Sequence, residues 1–166
     1  MASGNTLLIF NALANEPPAA NFATFDTRNS HPVLDFDDTT DEAAVFSATL
    51  PRNYLIGGLT ISIHWAATSA TTGTCRWEAS VERIGAAQQD MDADGFASTQ
   101  SAGSAANGTS GNIVVTTITF TDGAQMDSIA VGEGFRLKIN RDANGTTGTD
   151  DMVGDAELRF VEVKET

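Results

Sequence analysis

Stretch after stretch of this chain alternates apolar and polar residues with a period of two. In "GLTISIHWAA", Leu59, Ile61, Ile63 and Trp65 share one face, and Thr60, Ser62 and His64 share the other. In "TCRWEASVERI", Cys75, Trp77, Ala79 and Val81 alternate with Arg76, Glu78, Ser80 and Glu82. "GFRLKINRD" repeats the pattern with Phe135, Leu137 and Ile139. Successive side chains of a strand point to opposite sides of its sheet, so these runs predict strands with one buried face. "NIVVTTITFTD" is so rich in β-branched residues that a strand is favoured over a helix there as well.

Further strands are predicted near Leu7 to Phe10, Phe22 to Thr27, Val33 to Asp37, Ala44 to Leu50 and Ala156 to Val163. In the last of these the apolar parity switches between Phe160 and Val161, which predicts a bulge or a strand shared by two neighbours. About nine or ten strands, separated by clusters of Gly, Asn, Asp, Ser and Pro, predict an all-β sandwich or barrel. One short helix is expected near residues 123–131. "DGAQMDSIAVGEG" places Met126, Ile129 and Ala130 at helical spacing, with Asp122 as a cap and Gln125 three residues on. Met126 and Ile129 should turn inward and close one end of the fold. Residues 97–111 and 142–155 read as polar loops, either hairpin tips or surface arms. Paired Pro17 and Pro18 make "NALANEPPAA" an extended segment. The expected division is an N-terminal arm with the first strand over residues 1–20, then a single β-sandwich domain over residues 21–166.

Charge narrows the partners. The net charge is −13, and the nine basic residues are scattered, the opposite of what a nucleic-acid groove requires. No apolar run is long enough to cross a bilayer, and the N-terminus does not read as a secretory leader. Neither nucleic acid nor membrane is therefore an expected partner. The single cysteine, Cys75, excludes an internal disulfide and is expected in the core.

The sharpest motif is "QQDMDADGFASTQ". Asp90, Asp92 and Asp94 followed by Gly95 match the start of an EF-hand calcium loop. Position 12, counted from Asp90, is Ser101 rather than the required Glu, and the preceding segment is a strand, which excludes an EF-hand. A non-helical calcium loop on these three aspartates is the metal candidate, against a solvated turn with Phe96 tucked into the core. "DFDDTTDE" gathers Asp35, Asp37, Asp38, Asp41 and Glu42, read as an acidic turn rather than an acid/base pair. His31 and His64 come with no G-x-S-x-G elbow and no H-E-x-x-H, and with one cysteine they do not complete a zinc site. The chain is accordingly not expected to be an enzyme, and no cofactor is expected beyond that calcium candidate. Trp65 and Trp77 fall on apolar strand faces and are assigned to the core. Tyr54, in the loop "LPRNYLIGG", is the aromatic assigned to partner contact.

The run "NFATFDTRNSHPVLDFDDTTDEAAVFSATLPRNYLIGGLTISIHWAATSATTGTCRWEASVERI" resembles a group of small virion proteins from tailed-phage and environmental viral genomes. "TFTDGAQMDSIAVGEGFRLKINRD" and "GDAELRFVEVKET" follow the same pattern in order. The resemblance implies a jelly-roll-type sandwich. It further implies a capsid decoration (cement) protein on the outer surface of the virion, bound as a homotrimer to the major capsid protein. The alternative it leaves is a tail or head fibre module that recognises a host glycan. On the decoration reading the interface candidates are Glu16, Pro17 and Pro18 in the arm and Asn53 and Tyr54 in the loop.

Overall fold

A computed structural model describes residues 4–87 and 89–166. Among the described residues ten strands form two antiparallel sheets. They are β1 (Thr6–Asn11), β2 (Thr24–Arg28), β3 (His31–Phe36), β4 (Glu42–Thr49), β5 (Leu59–Ala67), β6 (Thr74–Ile84), β7 (Gln100–Ala105), β8 (Val114–Phe120), β9 (Gly134–Arg141) and β10 (Ala156–Glu165). One sheet runs β2-β3-β10-β5-β8 with β1 also on β10, and the other runs β4-β9-β6-β7. From β3 onward the pairing is nested: β3 with β10, β4 with β9, β5 with β8, and β6 with β7. One long hairpin wound round a barrel axis gives this order, so the architecture is the jelly roll, with β1 and β2 added to one sheet.

The alternating pattern explains the core. Trp65 on β5 and Trp77 on β6 come from opposite sheets, and their ring centroids are 6.0 Å apart. Phe36 packs edge-on against Trp77 at 4.9 Å, and Phe10 stacks on Phe46 at 5.2 Å. Each pair joins the two layers, and aromatic pairs of this kind add about 0.5–1.5 kcal/mol beyond the area they bury. Cys75 is fully buried, and that burial pushes its thiol pKa up, away from the reactive thiolate.

The parity switch has both of the expected causes. Along one side of β10, β3 pairs with residues 156–158 and β1 with residues 160–164, while β5 runs along the other side. The register against β5 shifts between Leu158 and Phe160, which bulges Arg159.

Four expectations need correction. The helix near 123–131 is a single 3-10 turn at Ala124–Met126. Gln125 Oε1 accepts from Thr121 N and Oγ1, Asp122 takes the Tyr54 hydroxyl instead of capping, and Asp127 and Ser128 adopt left-handed φ. Met126 and Ile129 do turn inward. Within 97–111 lies β7, whose small residues pair with β6 although their propensity for strand is low. Phe96 sits half-buried on the outer face of the four-stranded sheet, under Arg136 and Lys138 at 4.9 and 4.8 Å, and not in the core.

The N-terminal segment is the fourth. It is built into its own sandwich: β1 pairs with β10, and Phe10 and Ala12 are buried. Beyond them Glu16 N donates to Val45 O at 2.8 Å, and Asn15 Oδ1 accepts from Val45 N. Those bonds cover the free edge of β4, which would otherwise invite pairing with another chain.

Candidate ligand-binding groove

The six-stranded sheet carries the site because β3 pairs with β10 over only three residues. Beyond Leu34 the β2–β3 hairpin is free to lean over the outer face of its own sheet. Arg28, at the hairpin end, reaches across β10 to donate to the carbonyl of Ala67 on β5 at 3.0 Å. The same Nη1 meets Glu157 Oε2 at 2.5 Å. A Cβ on Gly111 would lie 2.7 Å from Arg28 Nη2, so the absence of a side chain there lets the loop before β8 approach the hairpin.

Between hairpin and loop runs a groove of about 410 Å³. One rim is Arg28, Asn29 and His31, and the other is Gly111 and Ile113. Its floor is Val33 and Ala66, flanked by Glu157 and Arg159 from β10. His64 lies two residues before Ala66 on the same face of β5, and its ring stacks on Phe160 at 4.1 Å. With exposed Val115 opposite His64 and exposed Ile9 on β1, this stack extends the groove as an apolar strip. Burial holds the His64 imidazole below its ordinary pKa despite Glu162 4.0 Å away.

Asp35 stands opposite Glu157 across the β3–β10 pair. Burial, then repulsion from Glu157, Asp26, Asp155 and Glu42, pushes its carboxyl pKa up to about 6. Between about pH 4 and 6 the folded protein therefore holds a proton that the unfolded chain has released, and stability falls as pH rises through that window. The full shift would correspond to about 3 kcal/mol, and screening of this half-exposed group reduces it to about 1 kcal/mol. Asp35→Asn should raise the melting temperature at pH 7.5 and leave it unchanged at pH 4. Equal effects at both pH values in paired melting curves would contradict this.

The residues singled out from sequence lie elsewhere. Asp90, Asp92 and Asp94 are exposed in a turn that they close themselves. Asp92 N donates to Asp90 Oδ1, and Gly95 N donates to Asp94 Oδ1. Among the described residues the carboxylates that converge on one point are Asp37, Asp38 and Asp155. They offer the hard oxygens a calcium ion takes. Asp37 also accepts from Thr39 and Thr40, and Asp38 accepts from Gly154 N.

Tyr54 is not a surface contact. It is 4% exposed; its hydroxyl donates to Asp122 at 2.9 Å and accepts from Gly58 N at 2.9 Å. Burial and the Asp122 carboxylate push its pKa up to about 12. Exposed Asn53 stands beside it, and Leu55 and Ile56, not Tyr54, face solvent. Glu16 and Pro17 are exposed and Pro18 is half-buried; the Glu16 carboxylate accepts from Ser47 Oγ. His31 does border the groove, and His64 its apolar extension. Arg28, Glu157 and Arg159 escaped the sequence reading, although the bulge that presents Arg159 was signalled by the parity switch.

No family model and no curated protein matches the sequence. Among solved structures the CBM22-2 xylan-binding domain of Paenibacillus barcinonensis Xyn10C is similar over 96% of this chain and 99% of its own length. The identity is 13% and the TM-score 0.53. The CBM22-1 xylan-binding domain of the same protein covers 99% of this chain and 97% of its own, at 14% identity and a TM-score of 0.48. At 13% identity the likeness to the CBM22-2 domain is one of fold, the jelly-roll sandwich already evident in the strand order.

Proposed function

We propose that this chain is a non-catalytic glycan-recognition module whose ligand lies in the groove over the six-stranded sheet. The observation that carries this is the groove's chemistry: an apolar floor of Val33 and Ala66 between rims that present Arg28, Asn29, His31 and Arg159. A sugar ring has apolar C–H faces and a girdle of hydroxyls, and a shallow site with that division suits it. Ile113 and the His64–Phe160 stack give neighbouring rings an apolar surface. The fold's likeness to a xylan-binding domain supports the same reading. Glu157, the groove's carboxylate, is committed to Arg28, which favours holding over chemistry.

Binding to an oligosaccharide array, followed by titration calorimetry on the best ligand, tests it. Ile113→Ala should weaken that ligand about fivefold, the loss of roughly 1 kcal/mol of apolar contact, with an unchanged melting curve. Absence of any saccharide binding, or binding indifferent to Ile113, overturns the proposal.

A second reading is favoured by one surface. Leu13, Phe22 and Phe25 are 70%, 44% and 55% exposed beside the free edge of β2. An apolar patch at an open edge is a place for copies to meet. We infer that the chain assembles as a homotrimer on a virion surface, against the major capsid protein, as the resemblance implies. Light scattering on the purified protein should then report three chains, with Phe25→Asp shifting it to one. A wild-type monomer overturns the trimer.

A further inference from the structure

We infer that the glycan held in this groove carries a carboxylate, so that the ligand is a uronate-containing saccharide; this inference rests on the glycan-binding reading. The chain as a whole is strongly acidic at −13. The groove departs from that on its β10 and hairpin-tip side, where the lining brings two guanidinium groups, Arg28 and Arg159, against the carboxylate of Glu157, with His31 beside them.

Arg159 is the group that points to a ligand. Elsewhere among the described residues Arg83, Arg136 and Arg141 each face a carboxylate of their own, Arg76 is bonded to Ser101 and Thr147, and Arg52 lies against Gly132, outside the groove. Arg28 is answered by Glu157. Arg159, among the described residues, has only the carbonyl of Pro32 at 3.4 Å. Its fork of N–H donors is therefore largely unspent, and a guanidinium fork matches the planar oxygens of a carboxylate in a two-point, charge-assisted contact. The β10 bulge presents it there, and the β2–β3 hairpin brings His31 to the same rim. Asp26 stands directly opposite Val33 and Asp35 directly opposite Glu157, on the groove's face, and both oppose an anion placed toward β2. An acidic sugar is therefore placed on the Arg159 side, with its ring over Ala66.

The test compares trimers of galacturonic acid and of mannuronic acid with their methyl esters, and with xylotriose, by calorimetry at low and at 0.5 M salt. The esters keep the sugar and remove the charge. At least one acid trimer should bind about tenfold more tightly than its ester, as charge-assisted pairing allows. The advantage should shrink at high salt. Arg159→Gln should bring the acid-over-ester ratio to about one, weakening the acid far more than the ester. His31→Gln, at the exposed first residue of β3, should reduce the ratio and guards against a folding defect in the first variant. Binding of xylotriose or the esters as tight as that of the acids overturns the carboxylate inference and leaves the glycan reading standing. Failure of the acids, the esters and every saccharide on the array overturns both.

Discussion

Replacing Arg141 by Ala should cost about 3–5 kcal/mol, the range seen when one partner of a buried ion pair is removed. In a chain of this length the loss corresponds to a fall in melting temperature of roughly 10 °C or more. Arg141 is fully buried, and each of its five N–H donors has a partner. Nε and Nη2 make a two-point contact with Asp150 at 3.1 and 2.8 Å. Nη1 donates to the carbonyls of Phe36 and Gly154, and Nη2 also to that of Met152. One side chain thus ties β9, the end of β3 and the long 142–155 segment together. That segment is accordingly no free arm. Asp142 reinforces it from within by accepting from the backbone and hydroxyls of Thr146 and Thr147. In urea titrations Arg141→Met combined with Asp150→Asn should cost clearly less than the sum of the two single changes, because the double variant leaves no unpaired buried charge. Strict additivity would show that the pair does not act as a unit.

Gly58→Ala should be the next most damaging change, at about 3 kcal/mol. The glycine has a φ of +95°, where an L residue is strained by roughly 1–3 kcal/mol. A Cβ there would also lie 2.4 Å from the carbonyl oxygen of Phe120, which is backbone paired to β5 and cannot swing aside. Any shift of Gly58 would pull its N–H from the Tyr54 hydroxyl and its carbonyl from Thr166 N, opening the end of the sandwich that Tyr54 and Met126 close. Gly95→Ala is the matched control: nothing lies within 4 Å of its added Cβ, and the change should stay within about 0.5 kcal/mol. Comparable melting temperatures for the two variants would refute the steric account.

Much of the fold was legible along the chain. Trp65, Trp77 and Cys75 lie in the core because each shares a strand face with other apolar residues, and period two transmits that directly. The switch at Phe160 and Val161 reported a strand with two successive neighbours before any neighbour was known. Propensity misled where a tertiary contact outweighed it. β7 is a strand because β6 offers it an unpaired edge, not because Ser, Ala and Gly favour extension. The turn at Ala124–Met126 stops short because Asp122 and Gln125 bond across to Tyr54 and Thr121. Tyr54 looked like a surface aromatic because its neighbours are loop residues, yet Asp122 and Gly58 give its hydroxyl the partners that make burial affordable.

By itself the sequence determined the layered all-β fold, most residues of its core and its net acidity. Those properties follow from local alternation and from composition, which are read without knowing what touches what. The groove was decided by tertiary structure alone. Arg28 and His31 stand more than a hundred residues from Glu157 and Arg159, and only the early parting of β3 from β10 folds the hairpin over them. The same holds for Arg141, whose neighbours Phe36 and Asp150 are set by jelly-roll winding. A charged residue in a strand pattern reads as solvent-facing until the fold supplies the oxygens that surround it.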